Sequence, residues 1–426
     1  MEAERGTRAA RPTVPPPGPA AAAEPVAQRF ASTWASLADV GRDRRSGGYR
    51  RFAWTPADLE LREWFTDQAA QRGMATEQDR NGNLWAWWGG PADGAVVTGS
   101  HLDSVPDGGA YDGPLGVVSG FLAVDQLRAR GVVPDRPIAV VSFSDEEGAR
   151  FGVACIGSQL LTGALEPDRA RGLRDVDGTT LADAMRRSGA DPAALGRDDE
   201  ALARIGTFVE LHVEQGQALV QCDQPVGLAT GIWPHGRWHY RFTGEANHAG
   251  TTRLVDRRDP MLPFASTVLS ARRLAEELGA VATFGKVLVA PNGTNAIPSR
   301  VDAWLDGRAP DDGTVADLVA RITEAAERDA ASHGTTVEMT PESYAPVVEF
   351  DQRLRERIRT VLGDVPALPT GAGHDAGVLS SRVPSAMLFV RNPTGISHSP
   401  DEHAPEADCV AGAQALAAVL ADLSCR

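Results

Sequence analysis

The sequence predicts an α/β protein: a mixed, mostly parallel sheet flanked by helices, interrupted by a smaller α+β insertion. Three observations carry that expectation. A strand that opens on the apolar run Ala95–Val97 and ends at His101, a helical stretch over Pro114–Arg130 and the strand Pro137–Ser144 (PIAVVSFS) follow one another with βαβ spacing, and parallel strands need such a crossover. At 426 residues the chain exceeds one ordinary core, so two domains are expected. From Val226 the pattern changes to strand, helix, strand, strand, helix, strand, the order of a ferredoxin-like unit.

The elements follow in order. Residues 1–25, rich in Ala and Pro (VPPPGPAAAAEP), lack the apolar core of a signal peptide and read as a disordered tail. The catalytic domain then occupies 26–225 and resumes over 343–426. Gln28–Val40 has helical spacing through Phe30, Trp34 and Leu37. A second helix spans Thr55–Arg72, where Thr55 suits the cap, Pro56 the first turn, and Asp58 and Glu60 the dipole. A turn, NGN, leads to the aromatic strand Leu84–Trp88.

Beyond the βαβ unit, 158–205 reads as mostly helical with turn signals at DVDG and SGADP, and Thr207–Val213 (TFVELHV) as a strand. The insertion, 226–342, contains the strand GRWHYRF, a helix over Met261–Leu278 and strands near Thr283–Ala290 and Arg300–Asp306. A helix over Thr314–Ser332 and a strand over Thr335–Thr340 complete it. The larger domain ends with a helix over Asp351–Leu362, GAGHDAG, the strand Ala386–Val390 and a loop carrying His398.

Composition narrows the function. With 57 acidic against 42 basic residues the net charge is −15, which argues against a nucleic-acid or anionic-membrane partner. The four cysteines are far apart and form no paired metal spacing, so they read as reduced thiols of a cytoplasmic protein. No apolar run approaches the ~20 residues that cross a bilayer.

Four strands of the larger domain end at residues able to bind a metal: His101, Glu146 with Glu147, His212 and His398. Ligands of open α/β sheets bind outside the carboxyl ends of the strands, so these loops should share one rim. Asp112 lies eleven residues past His101, across a loop with Gly108 and Gly109. Imidazoles and carboxylates without thiolate suit zinc, with manganese or cobalt as alternatives.

The stretches HLDSV…GGAYDG, SDEEGARF, ELHVEQG, NHAGTT…RRDP and GISHSPDE resemble the dinuclear-metal amidohydrolases that include N-carbamoyl-L-amino-acid hydrolase and allantoate amidohydrolase. The wider superfamily also holds aminoacylases and dipeptidases. The resemblance covers nearly everything from Phe30 to Ala418. It implies a zinc-peptidase-like catalytic fold whose insertion serves as a dimerisation and lid domain.

Carried over residue by residue, the resemblance implies one metal held by His101, Asp112 and His212, and a second by Asp112, Glu147 and His398. Glu146 is left as general base. Adjacent glutamates on an extended segment point opposite ways, and which one ligates comes from the resemblance. Two cations ~4 Å apart would acidify a bridging water. Glu146 would take its proton and pass it to the departing nitrogen.

His248 matches the family's oxyanion donor, and Asn295 and Arg308 its carboxylate contacts, serving the partner subunit of a homodimer. An Arg fork suits a carboxylate. Gln215 and His374 are further candidates to line the pocket. His235, His239, His333 and His403 match no ligand position. Two departures stand out: Arg253-Leu254 where the family usually has Pro-Met, and the aromatic WPHGRWHY.

The expected activity is hydrolysis of the C–N bond of an N-carbamoyl or ureido acid such as allantoate, a linear, non-peptide bond in a small carboxylate. N-formyl- or N-acyl-amino-acid deacylation and dipeptide cleavage are the nearest alternatives. A non-catalytic binding protein is the remote one.

Overall fold

The computed structural model describes residues 25–425; the Ala- and Pro-rich tail before Pro25 lies outside them. The chain forms two compact units. One runs to Ala229 and resumes over Phe350–Leu368 and from His374 onward; the other comprises Thr230–Glu349 and Pro369–Gly373.

In the first unit the strands lie in the order Ala75–Gln78, Leu84–Trp88, Ile138–Phe143, Ala95–His101, Ile205–Val213, Ser385–Val390, Val226–Ile232. The four from Ile138–Phe143 to Ser385–Val390 run parallel. Leu84–Trp88 and Val226–Ile232 pair antiparallel on either side of them. Nearly every residue of the four parallel strands is buried, as expected where helices cover both faces of a sheet.

The helix Pro114–Ala129 buries Leu115, Val118, Phe121 and Leu122 in that core. The C-terminal helix Glu406–Ser424 has mean hydropathy 1.3 over 18 residues, close to what a bilayer crossing demands and more apolar than the sequence reading allowed. Its Cys409, Leu416, Leu420 and Leu423 are buried in the same core, so here it packs as a core helix.

In the second unit four antiparallel strands lie in the order Thr336–Ala345, His235–Thr243, Arg300–Arg308, Val281–Ala290. In chain order this is fourth, first, third, second: the ferredoxin-like arrangement. The alternating burial of His235–Thr243 shows one covered face. There Tyr240, Phe242, Val301 and Leu305 meet Phe264, Leu274, Leu318 and Ile322 of the two helices Met261–Leu278 and Asp312–Ser332.

The structure departs from the sequence reading in two places. The strand Val226–Ile232, expected to open the insertion, pairs through Val226, Gly227 and Leu228 with Ser385–Val390. The smaller unit therefore starts at Thr230, and it runs on to Glu349. The first helix is Val26–Ala35, shorter than the periodicity suggested. As expected, the stretch 158–205 is mostly helical, with short helices at Ile156–Thr162, Pro167–Gly172, Leu181–Arg187 and Asp199–Arg204 and breaks that include DVDG and SGADP.

Candidate metal centre

His101 closes its strand and His212 stands one residue before the end of the neighbouring one. Both rings are about 1% exposed. Nδ1 of His101 lies 3.1 Å from the carbonyl oxygen of Asp103, and Nδ1 of His212 lies 2.9 Å from that of Val213. A carbonyl only accepts, so each Nδ1 carries its proton and each Nε2 presents a lone pair. Those Nε2 atoms face Oδ1 of Asp112 at 3.5 and 3.1 Å, and neither has a partner with hydrogen-bond geometry.

Asp112 ends the glycine loop. The next residue, Gly113, has φ +85°, and a Cβ there would lie 2.4 Å from the His101 ring, so only glycine lets the loop pass so close. The other Asp112 oxygen accepts from Nε2 of Gln215 at 2.9 Å and lies 3.5 Å from Nε2 of His398. That His398 nitrogen is 3.7 Å from Oε2 of Glu147. His398 has φ +56°, in a loop organised by the buried Asn392, whose side chain bonds Thr394, Gly395 and Ile396.

The pair Glu146 and Glu147 follows the strand Ile138–Phe143. Asp103 accepts both their backbone N–H groups, at 3.1 and 3.0 Å on its two oxygens. This tie makes a turn of what the sequence would extend. Glu146 faces His101 across 3.7 Å and accepts from the Cys155 thiol at 3.3 Å.

Burial raises Glu146 well above the usual carboxylate range; His101 opposes that, while Asp375 and Glu147 add to it. Burial and the Asp112 charge push Glu147 up to about 8. Burial would also raise Asp112, but the His101 and His212 rings beside it hold it well below its ordinary value.

Two donor sets result, each with all its atoms within 4.8 Å: His101, Asp112 and His212; and Asp112, Glu147 and His398. Asp112 belongs to both and Glu146 to neither. His101 Nε2, His212 Nε2 and Glu147 Oε1 are buried without hydrogen-bond partners. Unpaired buried imidazole and carboxylate atoms of this kind fit divalent ions. A third set, Glu210, His212 and His374, is equally close, but Glu210 is taken by Ser100 Oγ and the Ala376 amide. His374 is buried beside His212, its ring centre 4.5 Å away. Burial and His212 lower it well below the usual imidazole value.

The second unit carries His248, Asn295 and Arg308. Asn247–His248 pairs with Ala296–Ile297, and the Ala249 amide donates to the Asn295 carbonyl, so the first two are neighbours and both are exposed. Nδ1 of His248 accepts from the amides of Gly250 and Thr251 at 3.0 and 3.2 Å. Arg308 sits at the far end of the following strand, bound side-on to Asp306 and to the Gly371 carbonyl.

Of the departures, Arg253 is paired with Asp256, and Trp238 is buried in the sheet. His239 bonds Asp302 and stacks on Trp304.

Sequence reasoning missed Asp103, Glu402, Cys155, Glu210 and Asp375. Asp103 and Glu402 lie two and four residues past His101 and His398, and that proximity was their only signal.

The family described as Peptidase family M20/M25/M40 matches residues 97–422. The chain is 38% identical to an N-carbamoyl-L-amino acid amidohydrolase of Geobacillus stearothermophilus, over 89% of this chain and 94% of that one. It is 32% identical to an allantoate amidohydrolase of Escherichia coli, over 93% and 98%. A crystal structure of a hydantoinase/carbamoylase family amidase from Burkholderia multivorans is similar with a TM-score of 0.85 and 32% identity, covering 94% and 98%.

Proposed function

Because the chain belongs to Peptidase family M20/M25/M40, a family of metal-dependent hydrolases, we propose that it cleaves the C–N bond of an N-carbamoyl amino acid or a ureido acid such as allantoate. One observation carries the reading: Asp112 is shared by both donor sets while Glu146, next to the ligand candidate Glu147, stays outside them. Relatives acting on such substrates align over most of the chain.

His101, Asp112 and His212 would hold one divalent ion and Asp112, Glu147 and His398 another; zinc fits best, with manganese or cobalt as alternatives. Bound there, such ions supply positive charge that acidifies a water molecule and favours charge developing on the carbonyl oxygen. Glu146 accepts the proton of the attacking water and returns it to the departing nitrogen. Its burial suits the task, since a carboxylate raised in pKa holds the proton it takes more firmly until it passes it on. Hydrolysis of a carbamoyl group releases ammonia and carbon dioxide.

His248 supplies the oxyanion contact. With two backbone amides on Nδ1, its ring proton sits on Nε2, ready to donate. Arg308 and Asn295 receive the substrate carboxylate, and Gln215 and His374 line the pocket.

The protein works as a cytoplasmic homodimer joined through the smaller unit, whose residues serve the partner's site. The edge strand Val281–Ala290 exposes Val281, Val287 and Leu288, and the helix Met261–Leu278 exposes Leu262 and Leu269. An apolar open edge of this kind invites pairing.

The test is a panel of allantoate, N-carbamoyl amino acids, N-formylglutamate and dipeptides, with zinc, manganese or cobalt added, read as ammonia and free amine. Ammonia from the ureido substrates is expected. Turnover of dipeptides alone would overturn the assignment.

A further inference from the structure

Behind the ligand set stands a carboxylate with no assigned task. Glu402 is 4% exposed. One of its oxygens, Oε1, accepts the backbone N–H groups of Tyr111 and Asp112, both at 3.0 Å. The other lies 3.4 Å from Oγ of Ser397, and that hydroxyl is in turn 3.4 Å from Oδ2 of Asp112. Its own N–H donates to the Ser399 carbonyl. Glu402 thus grips the Asp112 loop while standing four residues past His398 in the other ligand-bearing loop.

The approach leaves no slack. A Cβ on Gly109 would lie 2.3 Å from Oε1 of Glu402, so the glycine that begins GAYDG makes room for this side chain. Two loops separated by nearly three hundred residues meet at one carboxylate.

We propose that Glu402 is a positioning residue that sets the Asp112 loop against the His398 loop and so fixes the carboxylate common to both metal sets. This rests on the ligand roles proposed above for Asp112 and His398. Outer groups that orient metal ligands are typically worth 10–100-fold in metal affinity. Because Asp112 belongs to both sets, loosening it weakens both ions together, whereas His398→Ala weakens one.

The role needs an acceptor oxygen at one place, not a charge. Glutamine keeps that oxygen; aspartate keeps the charge but withdraws it by one methylene. The test titrates the chelator-stripped full-length protein with Zn2+ or Mn2+ against a chromophoric chelator, in wild type and in Glu402→Gln, Glu402→Asp and Glu402→Ala. Hydrogen exchange of the peptide around Tyr111 and Asp112 is followed in parallel.

Glu402→Gln is expected to keep the wild-type affinity and slow amide exchange. Glu402→Asp and Glu402→Ala should lose about 10–100-fold for both ions and exchange those two amides faster. Gly109→Ala, which displaces the side chain without removing it, provides the same reading if Glu402→Ala does not fold. Wild-type affinity in Glu402→Asp, or equal loss in Glu402→Gln, would overturn the inference. Wild-type protein that binds no divalent ion would instead overturn the ligand assignment beneath it.

Discussion

The backbone N–H of Glu146 donates to Oδ1 of Asp103 at 3.1 Å, and the adjoining Glu147 amide donates to Oδ2 at 3.0 Å. One carboxylate thereby fixes the turn that places Glu147 in a donor set and leaves Glu146 outside both. In Asp103→Asn one acceptor becomes an NH2 group facing a backbone N–H, leaving a buried donor unmatched. The expected loss is ~1–3 kcal/mol of stability with a reduced kcat. Urea unfolding and ammonia release measure the two, and an unchanged kcat would show that the turn holds without Asp103.

Removing the carboxylate charge of Glu146 separates binding from chemistry. Glu146→Gln keeps the shape and the Cys155 contact but cannot take a proton. Metal content should match wild type while turnover falls ~10²–10⁴-fold, the usual worth of a positioned base. Full activity in this variant would assign the proton transfer elsewhere.

Ion binding should also stabilise the fold, since unpaired buried nitrogens and crowded carboxylates gain partners only in the native state. At a free ion concentration of 100 Kd one site adds ~2.7 kcal/mol. Thermal melts with chelator and then with zinc or manganese should shift upward with concentration. Asp112→Asn, which weakens both sets, should flatten that dependence. A melting temperature indifferent to divalent ions would argue that the donor sets bind none.

Much of this architecture was legible in the sequence because local pattern and global fold agree. The strands Ala95–His101 and Ile138–Phe143 are buried throughout, and their apolar starts with a helix between them at βαβ spacing reported a parallel sheet. The βαββαβ order of the insertion was readable because its helices are long and amphipathic. Its boundary was not: VGLATGI is a strand in either unit, and only its pairing with Ser385–Val390 places its first residues.

At the site, strand ends flagged His101, His212 and the glutamate pair, since strand ends converge in open α/β sheets. Beyond their nearness to His101 and His398, Asp103 and Glu402 carried no signal, for a physical reason. Their work is to accept backbone amides from distant loops, and backbone amides leave no trace in residue type.

His248 is expected to donate through Nε2. The amides of Gly250 and Thr251 occupy Nδ1 and leave the proton on Nε2. His248→Ala should give a folded protein with kcat lowered ~10²–10³-fold, the usual cost of one oxyanion donor, and NMR of 15N-labelled histidine should show the Nε2–H tautomer. An unaffected kcat would refute the oxyanion role.

Arg308 tests substrate recognition apart from catalysis. Its Nε and one terminal nitrogen grip Asp306 at 2.7 and 3.1 Å, and the other terminal nitrogen donates to the Gly371 carbonyl. That arrangement holds the guanidinium still through its side-on edge and the Gly371 carbonyl. Lysine offers one charged point, cannot satisfy Asp306 and a ligand with a planar fork, and loses the bidentate grip. A contact made equally in ground and transition states changes KM and spares kcat. Arg308→Lys should therefore raise KM about 10–100-fold, the equivalent of ~1.5–3 kcal/mol for charge-assisted hydrogen bonds, with kcat within a few-fold of wild type. Asp306→Ala should raise KM in the same sense but less, by freeing the guanidinium to wander. A fall in kcat at constant KM would move Arg308 from holding the substrate to acting on its transition state.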